Sequence, residues 1–396
     1  MSTSIPPAVG GRDHRLDVFR GLALMTIFIN HVPGNIYEEL TSRNFGFSDA
    51  AEAFVLMSGI AVGLAYARGF RSGDLGNALL RVWRRAGTIY VTHIVITVFA
   101  IAIIASGILF LDTAELVEKF NFTRLLDRPL SAMVGVPTLG HQLGYFNILP
   151  LYFTLLLASP LYIMIGLRNR WKMIGFAALI WLAAGTLRLN LPNYPNPGGW
   201  FFNPLSWQLI YAIGIAAGLS ASEGRKLVPF DRRLFYAAAV FLAFALVWVK
   251  FRMGALPGRQ NLPFFIAGFD KTFLSLPRLL HTLALAYVLT NLAAVSRLLA
   301  EPFFRPIALM GQNGLAVFAT GSVLSIALQV LRARFETTVL EDTALLLGGI
   351  LLQYAVARFL AETSEKKRRT AALPEPPLAA ASQSQSGIES KPMSAS

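Results

Sequence analysis

No cysteine occurs among the 396 residues. That excludes a disulfide framework, a thiolate metal site and a cysteine nucleophile, and it fits any compartment. Charge is scarce too. Asp, Glu, Lys and Arg together make 14% of the chain, against about 25% in ordinary soluble proteins. No two histidines stand at metal-ligand spacing, so no metal is expected. Gly-rich nucleotide loops and internal repeats are also missing. The first apolar run carries Asp17 and Arg20 with no small-residue cleavage site behind it, so a cleaved signal peptide is not expected.

What the chain has is apolar length. It is 55% hydrophobic, and a spanning helix needs about 20 mostly apolar residues. Candidate spans are 16–33, 49–67, 86–110, 145–167, 173–188, 204–221, 234–252, 279–296, 307–331 and 340–361. The expected fold class is all-α: a polytopic integral membrane protein with about ten transmembrane helices. The formal net charge is +13, but the basic residues sit in short clusters between apolar runs. That is the positive-inside pattern, and it argues against a nucleic-acid partner. Arg68, Arg71, Arg81, Arg84 and Arg85 form one cluster. Arg168, Arg170 and Lys172 form another, and Arg225, Lys226, Arg232 and Arg233 a third. Arg297 and Arg305, then Lys366 to Arg369, complete the set. Together they place both termini in the cytoplasm.

Residues 1–15 then read as a cytoplasmic segment and 16–362 as the membrane domain. Residues 363–396, rich in Ala, Pro, Ser and Gln towards the end, read as a disordered cytoplasmic tail. Segments 112–143 and 253–278 face outward, with room for interfacial helices.

Polar chemistry concentrates in residues 12–58. Asp17, Arg20, Asn30, His31, Asp49 and Glu52 lie in or beside apolar sequence there. Such groups cost about 2.5–3.5 kcal/mol each on insertion scales, which makes them functional candidates. Arg20 and His31 are eleven positions apart, three helical turns plus about 20°, so they share a face with roughly 16 Å between them. Asp17 stands one turn before Arg20 and can pair with it. A neutral His31 suits general-base work, and Arg20 suits a phosphate or carboxylate. The plainer alternative is an Arg20 anchor at the inner surface and an interfacial His31. Asp49 and Glu52 share a face at the start of the second helix. They read either as the carboxylate that orients His31 or as a helix cap.

Further along, Arg84 and Arg85 suit the phosphates of a cytoplasmic donor, or serve only as positive-inside charges. His93 reads as a core histidine more readily than a reactive one, with substrate contact as the alternative. Arg278 and His281 stand at the outer start of the eighth span, where contact with an outer polar or carboxylate-bearing substrate is expected if they have a role.

The motifs Arg12, Leu16-Asp17, Phe19-Arg20-Gly21, Ile29-Asn30-His31 and Asn44-Phe-Gly-Phe-Ser-Asp-Ala-Ala-Glu-Ala-Phe-Val55 closely resemble the OpgC family. That family is similar to the wider membrane acyltransferase-3 superfamily, whose hallmark is an Arg and a His eleven apart on the first helix. Weaker matches run through Phe146 to Tyr152, Phe202 to Gln208 and Gly311 to Phe318. The superfamily often has an Arg and a Pro after the third-helix arginine pair; this chain has Thr88 and Val91.

The resemblance implies a succinyltransferase of the bacterial inner membrane, acting on osmoregulated periplasmic glucans. It implies an acyl-CoA donor, succinyl-CoA foremost, as substrate and no permanently bound cofactor. It makes His31 the catalytic base and Arg20 a donor-binding or structural partner; the residue reading adds Asp49 and Glu52 as candidate catalytic partners of His31. Asp17, Arg20, Asn30, Arg84, Arg85, His93, Arg278 and His281 are the candidate substrate-binding residues. The expected partners are acyl-CoA, a periplasmic glucan, the lipid bilayer and other glucan-biosynthesis proteins. Two readings of other classes stand beside it: a transporter or flippase with a polar midplane site, and a non-catalytic membrane partner of a glucan synthase.

Overall fold

The computed structural model describes residues 13–254 and 261–371. Among these residues it is all-helical, with an isolated two-residue bridge between Pro192 and Gly199 and no strand. Twelve helices carry the architecture. In order they are α1 (His14–Asn30), α2 (Ala50–Arg71), α3 (Leu75–Leu111), α4 (Ile148–Arg168), α5 (Arg170–Leu187) and α6 (Pro204–Ala221). Then come α7 (Arg232–Lys250), α8 (Leu276–Asn291), α9 (Ala293–Leu299), α10 (Arg305–Gln312), α11 (Gly314–Arg334) and α12 (Val339–Ala371). Short helices Leu116–Lys119, Thr123–Asp127, Pro129–Gly135 and Phe264–Ala267 fill the long connections.

Seven of these helices are long and apolar enough to cross a membrane, or eight if the bent pair α8–α9 counts as one span. The remaining two of the expected segments fall outside that count. Helix α1 has 17 residues and holds Arg15, Asp17 and Arg20. Helix α5 starts on Arg170 and Lys172. The eighth expected span, 279–296, is broken at Leu292, where α8 and α9 meet at 78°. The ninth, 307–331, is broken at Asn313 between α10 and α11. Helix α12 runs on through Ala371, so residues 363–371 are helical and not part of a disordered tail. Residues 372–396, the rest of that expected tail, lie outside the described residues, as do residues 1–12 of the expected N-terminal segment.

Two close helix contacts set the geometry around the site. Helices α2 and α6 meet through Gly59 and Gly63 on one side and Gly214 and Gly218 on the other. A methyl added to Gly59 would sit 3.0 Å from Gly214 Cα, and one on Gly218 would sit 3.0 Å from Gly63 Cα. Both pairs have small-xxx-small spacing, which lets backbones approach when lipid supplies no hydrophobic drive. Helix α1 likewise lies against α10, with the backbone of Asp17 packed on Gly311 and Gly21 packed on the backbone of Ile307. One buried cluster, including Trp207, Tyr211, Leu151 and Ile89, fills the centre of the bundle.

Candidate functional site

Asp13 caps α1, its carboxylate accepting from the Arg15 amide at 2.9 Å. The helix then runs without a break to Asn30, so the eleven-residue spacing of Arg20 and His31 is realised on one continuous helix. His31 is the residue that ends it, and its N–H donates to Ile27 and Phe28 carbonyls at 3.0 and 3.1 Å. Gln329 of α11 donates to the His31 carbonyl at 2.7 Å. One residue earlier, Asn30 accepts from the Thr41 hydroxyl at 2.8 Å.

The two ends of α1 differ. At the Arg20 end, Nη1 donates to Asp17 at 3.4 Å and to the Gly311 carbonyl at 3.3 Å. Asp17 is buried. The aliphatic part of Arg20 lies over Gly314, where an added methyl would be 3.3 Å from Arg20 Cδ. Gly314 also borders a cavity of about 430 Å³ whose wall includes Arg85, Thr92, Gln312 and Asn313. At the His31 end there is a second, water-sized space of about 10 Å³, walled by His31, Phe28, Phe318, Ser322 and Gln353.

Beside His31 stands a cluster of four charges. Asp49 caps α2 through a capping box: its side chain accepts from the Ala51 amide at 2.8 Å, and Glu52 accepts from the Asp49 amide at 3.0 Å. The same two carboxylates receive cations from distant chain. Lys271 pairs with Asp49. Arg278 reaches Glu52 at 2.5–2.6 Å and Asp49 at 3.4 Å. Glu52 has 0% exposure. The segment carrying Lys271 is pinned by two indoles: Trp207 donates to the Lys271 carbonyl at 2.9 Å, and Trp181 to the Phe273 and Leu274 carbonyls at 3.1 and 3.0 Å. Asp49 sits one residue before its span. Burial pushes its carboxyl up, but Lys271 and Arg278 overcome this and hold it below the usual carboxylate range.

A family model described as OpgC protein matches residues 12–365. The chain belongs to the OpgC family. No curated protein and no solved structure matches it. The family match contains both ends of α1, both cavities and the four-charge cluster.

Within this family member, the structure separates some expected groupings and creates others. Asp49 and Glu52 read either as the carboxylate that orients His31 or as a helix cap, and the cap is present. Among the described residues neither hydrogen-bonds the His31 ring, although the Asp49 and Lys271 charges both act on it electrostatically. Their hydrogen bonds go to the cap and to the two cations instead. Arg278 was expected to face an outer substrate; it is committed to Glu52 and Asp49. His281 is buried, with Nδ1 2.7 Å from the Ser48 hydroxyl and its ring packed on Gly46. Both residues fasten the start of α8 to the start of α2. Arg84 and Arg85 are both exposed, and Arg85 also lines the large cavity. His93 is buried in α3 with neither ring nitrogen hydrogen-bonded, so the hydrogen-bonded core histidine is not what the structure shows.

Two participants escaped the sequence reading. Lys271 belongs to none of the sequence motifs, yet it pairs with Asp49. Tyr145 was passed over, yet its ring stacks on the His31 ring with centroids 4.5 Å apart and planes 9° apart. Burial pushes its phenol up from the ordinary value, against the pull of Arg43, so it stays a neutral hydroxyl. An aromatic before an apolar run carries no local signal that separates this role from interfacial anchoring.

Proposed function

We propose that the protein is a membrane-bound O-acyltransferase. It moves a succinyl or other short acyl group from cytoplasmic acyl-CoA to hydroxyls of a periplasmic glucan. The observation that carries this reading is the pairing of one helix with two unlike cavities. The large one, beside Arg20 and Arg85, suits a phosphate-bearing donor. The small one, at His31, suits a single reacting hydroxyl. Helix α1 carries Arg20 and His31 roughly 16 Å apart, with Arg20 packed on Gly314 in the wall of the large cavity and His31 in the wall of the small one. CoA is too polar to cross lipid and the glucan is outside, so the acyl arm must reach along such a path.

In this scheme both termini are cytoplasmic and the chain crosses the membrane about ten times, with the charges of α1 turned to its neighbours and α5 presenting Leu179, Leu182 and Leu187 to lipid. Arg20 and Arg85 hold donor phosphates. His31 accepts the proton of a glucan hydroxyl as that oxygen attacks the thioester carbonyl. The tetrahedral intermediate collapses with loss of the thiolate, which recovers the proton from the imidazolium. One ester forms, one thioester breaks, and free CoA leaves on the inner side. Lys271 stands near the developing oxyanion and offsets its charge.

The bend at Leu292 is the feature that speaks for a transporter, because transporter sites are built at broken spans. It falls after the 16 residues of α8, roughly 24 Å along, hence near one membrane surface and away from the midplane.

Purified protein in detergent, given labelled succinyl-CoA and an unsubstituted periplasmic glucan fraction, should form glucan ester with no membrane gradient. His31→Ala should abolish this while its membrane abundance matches wild type. Wild-type rates in His31→Ala would remove His31 from the chemistry. Absence of ester from wild type in detergent would favour the transporter or the synthase partner.

A further inference from the structure

In a histidine base the ring must be held in one orientation, and its positive charge must be stabilised once it takes the proton. A carboxylate commonly does both. Here both neighbouring carboxylates have their hydrogen bonds elsewhere. Asp49 is held by Ala51, Lys271 and Arg278, and Glu52 by the Asp49 amide and Arg278. What lies on the His31 ring is the face of Tyr145.

The placement of Tyr145 is built, not incidental. It follows Gly144, which adopts φ +46 and has Phe120 where a side chain would go, at 2.8 Å. The Gly144 amide donates to the Phe120 carbonyl at 3.0 Å, and the Phe146 amide to Leu143 at 2.8 Å. Phe120, Leu143 and Phe146 are all buried. A left-handed glycine backed by a buried ring leaves the tyrosine little freedom. The opposite partner is fixed as well, by the Gln329 bond to the His31 carbonyl.

We infer that Tyr145 is the positioning residue of this site: it fixes the plane of the His31 imidazole and stabilises the imidazolium through its ring face. The inference rests on reading His31 as the base. The π-face of tyrosine attracts a cation within about 6 Å of its centroid, and the stack lies inside that distance. The attraction is weak to a neutral imidazole and stronger to an imidazolium. It therefore grows towards the transition state, which is the kind of interaction that raises kcat. Because the ring face does the work, the hydroxyl is dispensable.

The chain has five histidines, so their ring proton–carbon correlations can be resolved by NMR on the full-length protein in detergent, with the His31 signal assigned by its loss in His31→Gln. The wild-type His31 ring proton should appear upfield, under the Tyr145 ring current. Tyr145→Phe should keep both this shift and at least a third of wild-type kcat with succinyl-CoA and the unsubstituted glucan fraction. Tyr145→Leu should return the signal to the position of an unstacked histidine. It should also lower kcat about tenfold, with KM for both substrates within about twofold. Should Tyr145→Leu not purify as monodisperse protein, Tyr145→Met makes the same comparison.

A His31 signal unmoved by Tyr145→Leu overturns the inference. So does a loss confined to KM, which would make Tyr145 a substrate contact. Full activity in His31→Ala instead strikes the acyltransfer reading of His31, and leaves the NMR result to decide the stacking by itself.

Discussion

Glu52 and Arg278 form an ion pair whose carboxylate has no exposure to solvent. Burying two charges costs several kcal/mol per ion, and their attraction recovers this only when geometry is good and other hydrogen bonds are made. Here the Asp49 amide supplies one such bond and the Lys271–Asp49 pair extends the network. Arg278→Leu leaves Glu52 uncompensated and should destabilise the protein by about 3–5 kcal/mol, read as thermal unfolding in detergent. The double variant Glu52→Leu with Arg278→Leu should recover most of that loss. If the double variant is as unstable as the single, the pair is not the source. At the other end of α1, Arg20→Gln removes a charge-assisted donor of the kind worth about 1.5–3 kcal/mol. On the donor-phosphate reading it should raise KM for acyl-CoA about 10- to 100-fold, with little change in the KM for glucan. Steady-state kinetics with each substrate varied separately checks this.

At the scale of elements, glycine decides how near helices come. Gly214 has Gly59 Cα 3.0 Å from where its Cβ would be, and helices α2 and α6 carry Asp49, Glu52 and Trp207 between them. Gly214→Ala should push α2 away and lower stability by about 1–3 kcal/mol. An unchanged melting temperature would mean that the contact can relax freely. The α1–α10 approach serves the site more directly. Arg20 reaches the Gly311 carbonyl because Gly311 has no side chain to hold the two helices apart. The break at Asn313 then exposes Gln312 and Asn313 to the large cavity. A continuous helix there would turn those residues elsewhere.

For the whole molecule, the acyltransferase reading requires a fixed direction across the bilayer, since on that reading donor and acceptor come from opposite sides. Because the chain is free of cysteine, single cysteines can report it without background. With both termini cytoplasmic, Ser72→Cys, next to Arg71 at the end of α2, should react with a membrane-impermeant maleimide only after the membrane is opened. Pro197→Cys, between α5 and α6, should then react in intact spheroplasts. The reverse pattern would invert the orientation and put His31 on the donor side.

The sequence by itself determined what is local or averaged: an all-helical membrane chain, the placement of most of its helices, and the shared face of Arg20 and His31. Those follow from apolar length and from the helical repeat, both of which are read within a few tens of residues. It also offered the Asp49–Glu52 cap as one of two readings, because a capping box spans four positions, and the structure shows that cap. Tertiary structure alone decided who stands opposite. Lys271 meets Asp49 across 222 positions and Arg278 meets Glu52 across 226. Tyr145 reaches His31 through a glycine turn in another connection. The breaks at Leu292 and Asn313 lie in sequence apolar enough to read as unbroken spans. No spacing rule couples residues so distant. Their meeting depends on where whole helices dock, and that is set by close contacts such as Gly59 on Gly214 and Gly311 on α1.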